Sequence, residues 1–195
     1  MLQAAQALLT TQLLSPHYVR LDVLAAQGAR GLTHRAVDAA AGLPAGTASN
    51  YFKTRDALLG ALGERIFERL APDEAVLEPL AKRKPGIELM TDYAHYIVER
   101  LLGRPELTLA LLELRLEAAR RPGLHEILSR TLRQGFDADV AFNANAGLPG
   151  GAEEIRLLHF AIDGLILDQL TPGTGHPYDI TAITARLVRR LAGGN

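Results

Sequence analysis

Thr47, Ser49 and Asn50 place three short hydrogen-bonding side chains within one helical turn, and Lys53 and Arg55 follow directly. Hydroxyls and carboxamides of this size suit base edges, whereas Lys and Arg beside backbone amides suit phosphates. Just before them, Pro44, Ala45 and Gly46 are compact enough for the backbone to approach a polyanion closely. Upstream, Thr33, His34 and Arg35 open another helical stretch. Thr33 reads first as a helix cap and second as a phosphate contact. His34 reads equally as a solvated helix-start residue and as a contact, and Arg35 favours contact. With Tyr51, these residues make up the candidate nucleic-acid surface: Thr33, His34, Arg35, Pro44, Ala45, Thr47, Ser49, Asn50, Tyr51, Lys53 and Arg55.

Such side chains are useful only if short helices hold them at a steep angle, and the segment Gly31 to Leu59, GLTHRAVDAAAGLPAGTASNYFKTRDALL, has that rhythm. Thr33 is a good N-cap for a helix over 34–41, with Gly42 closing it through a positive φ. A short helix over 44–51 begins at Pro44, a residue suited to a first helical turn. Thr54 caps a third helix reaching about Leu70, whose N-terminus Asp56 complements. Val37, Leu43, Tyr51 and Phe52 are spaced to form the small apolar core of this unit. The pattern is that of a helix-turn-helix that reads DNA. The plain alternative is a compact trihelical core without a DNA partner, for which Gly46-Thr47 and the basic tail would be unnecessary.

The same residues carry a family resemblance. Thr33, Ala41-Gly42-Leu43, Pro44, Ala45-Gly46-Thr47, Tyr51-Phe52 and Lys53-Thr54-Arg55-Asp56-Ala57-Leu58-Leu59 resemble the N-terminal domain of the tetracycline-repressor (TetR) family of transcriptional regulators. Three positions depart from that pattern. Asp38 stands where a small residue is usual, so it should reach solvent or pair locally with His34 or Arg35, because a buried carboxylate is costly. Ser49 replaces a tyrosine that commonly touches phosphate. Arg55 replaces a lysine and still supplies a cation.

Composition bounds the rest. The chain has 195 residues, 48% of them hydrophobic, enough for a sizeable core. Its net charge is −1, but residues 1–70 carry seven Lys/Arg and five Asp/Glu, so the end expected to meet DNA is the basic one. With no cysteine, disulfides and thiolate metal sites are excluded. The start of the chain lacks a basic stretch before its apolar residues, so a secretory signal is not expected. No apolar run approaches the roughly 18 residues of a membrane span, and the expected location is cytoplasmic. His125-Glu126 lacks the second histidine of a zinc-binding pair, and no phosphate loop or nucleophile elbow occurs. We therefore expect no enzyme activity, catalytic residue, metal or cofactor.

The spacing of breakers predicts an all-α chain of about nine helices, and the resemblance implies a three-helix DNA-binding part followed by a helical ligand-binding and dimerisation part. Helices are expected at 2–14, 17–28, 87–102, 105–120, 123–146, 152–170 and 179–192, with 71–86 as a linker rich in proline and charge. The domain boundary is placed between 1–70 and 71–195. Helix 152–170 is apolar almost all round, so it must be covered on more than one side. Its stripe Ile155, Leu158, His159, Ile162, Leu165, Ile166 and Gln169, with Ile183, Leu187 and Leu191 of the last helix, is the candidate dimer interface. A purely intrachain core is the alternative, and for His159 a core or interface role outweighs a ligand contact. His95 reads as solvated.

Two C-terminal helices from each of two chains are also what the resemblance implies, as is a two-fold dimer on a palindromic double-stranded operator. By the same analogy, candidate effector-binding residues are Met90, Tyr93, Tyr96, Ile97, Leu112, Arg115, Leu116, Phe136, Phe160 and Asp163. Tyr93 and Tyr96 read equally as core, and Arg115 as a snorkelling surface residue. The resulting expectation is a homodimeric repressor released by a small apolar or amphipathic effector. The alternative is a helical protein-interaction module that keeps the fold without reading DNA.

Overall fold

The structure is a computed structural model that describes residues 31–40 and 42–193. Among them the regular elements are α1 (His34–Ala40), α2 (Thr47–Tyr51), α3 (Arg55–Arg69), α4 (Glu74–Ala81), α5 (Ile87–Leu102), α6 (Pro105–Ala118), α7 (Pro122–Asn145), α8 (Ala152–Leu170) and α9 (Ile180–Ala192). The described chain is thus all helical, as expected. The helices expected at 2–14 and 17–28 lie outside the described residues.

Local chemistry explains most of the boundaries. The Thr33 hydroxyl accepts the Ala36 N–H at 3.1 Å, and the Thr54 hydroxyl accepts that of Ala57 at 3.1 Å, so both expected caps are in place. Gly42 has φ +64°, the left-handed conformation that lets α1 stop sharply. Two expectations need correction. Helix α2 begins at Thr47 rather than Pro44, because Gly46 takes φ +93° and breaks the turn that proline would have opened. The expected linker contains α4, started by Asp73, whose carboxylate accepts the Ala75 N–H at 2.9 Å.

The chain divides into two compact units. Of the described residues, the first takes in those up to Arg69 together with Glu106–Thr131; the second comprises Leu70–Pro105 and those from Leu132 onward. Helix α7 therefore begins in one unit and continues in the other.

In the first unit, Leu58, Leu59, Leu62 and Ile66 of α3, Leu107 and Leu114 of α6, and Leu124 and Leu128 of α7 are buried. Gly60 and Gly63 let α3 lie close to its neighbours. A Cβ on Gly60 would stand 2.8 Å from Ile127, and one on Gly63 would stand 3.1 Å from Leu128. Arg121 binds Asp56 at 2.6 Å, tying the start of α7 to the first turn of α3.

In the second unit, α5 packs against α8 and α9. Its core includes Leu89, Met90, Tyr93, Val98, Ile155, Leu158, Ile162, Leu165, Ile166 and Val188. The Asn143 carboxamide is buried and donates to Gly150 O at 3.0 Å, holding the turn that reverses the chain between α7 and α8. His95 is not simply solvated: its Nε2–H donates to Thr181 O at 3.0 Å, joining α5 to the start of α9.

Leu114 is fully buried in the first unit. Leu114→Ala is expected to lower the free energy of unfolding by roughly 2–5 kcal/mol in urea titrations. A loss below about 1 kcal/mol would contradict the packing described.

Candidate nucleic-acid interface

Helix α2 is five residues long, and its own sequence supplies no side-chain cap. The missing cap comes from α1. Asp38 is only 2% exposed. Its Oδ2 accepts the Gly46 N–H at 2.8 Å, and its Oδ1 accepts the Ala48 N–H at 2.7 Å. The expectation that Asp38 reaches solvent or pairs with His34 or Arg35 is therefore wrong. A buried carboxylate is tolerable here because two charge-assisted hydrogen bonds replace its water. The same bonds satisfy two N-terminal amides of α2 that would otherwise be unpaired.

Three further ties fix the unit. The Leu43 N–H donates to Asp38 O at 2.8 Å, closing the turn after α1. The His34 Nε2–H donates to Phe52 O at 2.7 Å, joining the start of α1 to the exit of α2. Arg55 Nη1 donates to Leu32 O at 2.8 Å. His34 and Arg55 are thus half-buried and partly committed to backbone carbonyls, a structural role not foreseen for either.

The remaining candidates form the open surface. Arg35, Pro44, Ala45, Ser49, Asn50 and Lys53 are exposed, as is Thr33, while Thr47 and Tyr51 are half-buried. The Thr47 hydroxyl donates to Pro44 O at 2.6 Å, and the Ser49 hydroxyl donates to Gly46 O at 2.8 Å. With their protons directed inward, both oxygens present acceptor lone pairs outward. Asn50 and Arg35 supply the outward donors. Short polar groups on an exposed helical turn, beside Lys53, make a surface suited to a groove edge lined by phosphates. Among the described residues, no group of His, Asp and Glu is placed to hold a metal ion, and no helix is long and apolar enough to cross a membrane.

The effector candidates are scattered. Met90 and Tyr93 are buried in the core of the second unit, where the Tyr93 ring meets Phe142 edge-on with centroids 5.1 Å apart. Burial raises the Tyr93 phenol above its ordinary value. The Tyr96 hydroxyl accepts the Asp73 N–H at 2.6 Å, Ile97 is half-buried, and Phe136 lies edge-on to His159 with centroids 5.5 Å apart. Leu112, Arg115 and Leu116 lie on the part of α6 that belongs to the first unit. Leu116, Phe160 and Asp163 are exposed.

The residues of the candidate dimer stripe are divided between the core and the surface. Ile155, Leu158, Ile162, Leu165 and Ile166 are all buried inside the chain itself. A helix apolar all round turns one face to its own core, and these five form that face. Ile183 and Leu191 pack against the same core, while Leu187 is half-buried. His159 pairs with Asp139 at 3.0 Å, and Gln169 donates to the Tyr178 hydroxyl at 2.7 Å. The large apolar side chains that α8 leaves exposed are Leu157, Phe160 and Leu167, at 42%, 65% and 48%. Gly164 lies on the same stripe and is open to solvent.

A sequence profile of the tetracyclin repressor-like C-terminal domain matches residues 85–194. The chain belongs to the TetR family of transcriptional regulators. Among solved structures, the multidrug binding protein EbrR complexed with ethidium is 27% identical, with a TM-score of 0.70 over 93% of this chain and 96% of that one. The protein SCO7518 from Streptomyces coelicolor A3(2) is 21% identical, with a TM-score of 0.70 over 95% and 98% of the two chains. The regulator FadR from Bacillus subtilis in complex with stearoyl-CoA is 20% identical, with a TM-score of 0.62 over 95% and 99%. The last two likenesses are of fold alone. No curated relative matches the chain at significant similarity. Helices α5 to α9 fall within the matched C-terminal domain, and α1 to α3 precede it.

Removing the Asp38 carboxylate leaves the Gly46 and Ala48 amides dry. Asp38→Ala is therefore expected to cost roughly 1–3 kcal/mol of unfolding free energy, and Asp38→Asn less, since one acceptor oxygen remains. Urea unfolding of the three proteins checks this. An Asp38→Ala variant as stable as the parent would contradict the capping role.

Proposed function

We propose that this TetR-family protein is a homodimeric repressor whose surface around Arg35, Thr47, Asn50 and Lys53 binds a palindromic operator, and that a small amphipathic effector in the helical body releases it. The observation that carries the reading is the capped α2, whose exposed face bears short polar groups beside Lys53. Residues 1–70 would serve DNA binding and 71–195 effector binding and dimerisation, in the cytoplasm. Asp38 is buried and therefore offers no acidic surface to a protein partner, which weakens the interaction-module alternative.

The exposed stripe of α8 supports the dimer. Leu157, Phe160, Gly164 and Leu167 recur every three or four residues, so they share one face. A contiguous apolar stripe on a regulator's surface fits a self-complementary contact across a two-fold axis. Gly164 would let two such helices cross closely. A two-fold dimer carries two copies of α2, matching an operator whose half-sites lie about 34 Å apart.

Release follows from population shift. An effector that binds better to a conformation with another spacing of the two α2 helices draws the dimer away from its operator. EbrR with ethidium and FadR with stearoyl-CoA are relatives with small molecules bound, which supports an effector here as well. Met90, Tyr93, Tyr96, Ile97 and Phe136 of the second unit remain the candidates for contact with it.

Two experiments test the reading. Enrichment of genomic fragments on the purified protein should yield one palindromic motif, and Lys53→Ala should weaken binding to it while lowering the salt slope of the dimer by about two, one for each protomer. Failure to enrich any motif, or a slope untouched by Lys53→Ala, would contradict it. Separately, Phe160→Glu should convert a dimer to monomers in sedimentation analysis, since a charge in the centre of the stripe would be buried unpaired. A dimer that survives this change would place the interface elsewhere.

A further inference from the structure

Arg100, on α5 of the second unit, lies outside every site considered above. Its guanidinium carbon is 5.5 Å from the centroid of the Tyr96 ring, one helical turn earlier. Its Nε and Nη1 are both buried and have no hydrogen-bond partner. A guanidinium carries five N–H donors and no acceptor, and it does not escape burial by losing its proton. Burial nonetheless pulls Arg100 below its ordinary value, with Tyr96 and Asp139 opposing that shift and the repulsion of Arg104 adding to it. A second positive charge therefore acts on the same place.

Among the described residues, none supplies the missing acceptor. Asp139, the carboxylate that Arg100 feels, is engaged by His159 at 3.0 Å. The His159 ring meets Phe136, whose face is covered by Arg156 at 5.0 Å. Ile97, Leu101, Phe136 and Val140, from the same two helices, are partly buried against the core of the unit. A cation with dry donors thus stands at the margin of an apolar cluster. Buried donors without partners destabilise a fold, so their persistence points to an acceptor that arrives from outside.

We infer that Arg100 anchors the anionic head of the effector, and that the effector is an amphipathic carboxylate whose apolar part packs among the neighbouring side chains of α5 and α7. The inference rests on the ligand-responsive reading above and narrows it to one charge class. It also separates this chain from EbrR, a relative seen with the cation ethidium.

The test uses the full chain bound to its enriched operator and three probes of equal length: octanoate, octan-1-ol and octyltrimethylammonium. Calorimetry reads binding, and fluorescence anisotropy of labelled operator reads release. Octanoate is expected to bind roughly tenfold tighter than octan-1-ol, as a charge-assisted hydrogen bond would give, and to release the operator at lower concentration. Arg100→Met should abolish that preference by weakening octanoate binding roughly tenfold, and should melt no lower than the parent, because dry donors have been removed. Equal binding of octanoate and octan-1-ol, a preference that survives Arg100→Met, or a large fall in melting temperature would each overturn the anchor. Release by octan-1-ol or the ammonium but not by octanoate would overturn the anchor and leave the ligand-responsive reading standing. If none of the probes binds, the anchor falls, and operator binding in the same samples decides the regulator reading independently.

Discussion

A helix of five residues forms too few internal hydrogen bonds to persist alone, so what α2 presents to a partner depends on what holds it. In this chain that is the buried carboxylate of Asp38. It reaches from α1 to the first amides of α2, occupying the place a local serine or aspartate would take. Gly46 makes the arrangement possible, since its φ of +93° turns the amides inward and would strain any other residue. The outward direction of Arg35, Ser49, Asn50 and Lys53 follows from this one contact and from the His34 tie to Phe52.

Much of this was legible in the sequence, and the failures share a cause. Thr33, Gly42 and Thr54 act through their immediate neighbours, so residue type and spacing sufficed to place them. Asp38 was misread because its partners lie eight and ten residues away, beyond the reach of local pattern. Its type was nevertheless a usable signal: an acidic residue on an otherwise apolar face, followed by a glycine before an uncapped short helix. Residue type marks Arg55 as a phosphate-binding cation, whereas its tie to Leu32 O is equally non-local. The start of α2 moved because proline favours a first turn but does not compel one, and the left-handed Gly46 prevailed.

The C-terminal helices carried the opposite ambiguity. Periodicity showed that α8 is apolar on more than one side, but it could not say which side the chain covers itself. The structure assigns Ile155, Leu158, Ile162, Leu165 and Ile166 to its own core and leaves Leu157, Phe160 and Leu167 outside. Arg100 was invisible to pattern because arginine near a helix C-terminus is ordinary, and only the absence of partners for its buried nitrogens sets it apart.

If Asp38 sets the geometry that reads bases, its loss must harm recognition more than charge attraction. The most direct measurement is the ratio of affinities for the enriched operator and for a scrambled duplex, in the parent and in Asp38→Ala, at a temperature where both are folded. The account predicts that operator affinity falls by roughly tenfold or more while scrambled binding, carried by Lys53 and other surface cations, changes little. An unchanged ratio would show that α2 reads DNA without the Asp38 cap, and would contradict the account.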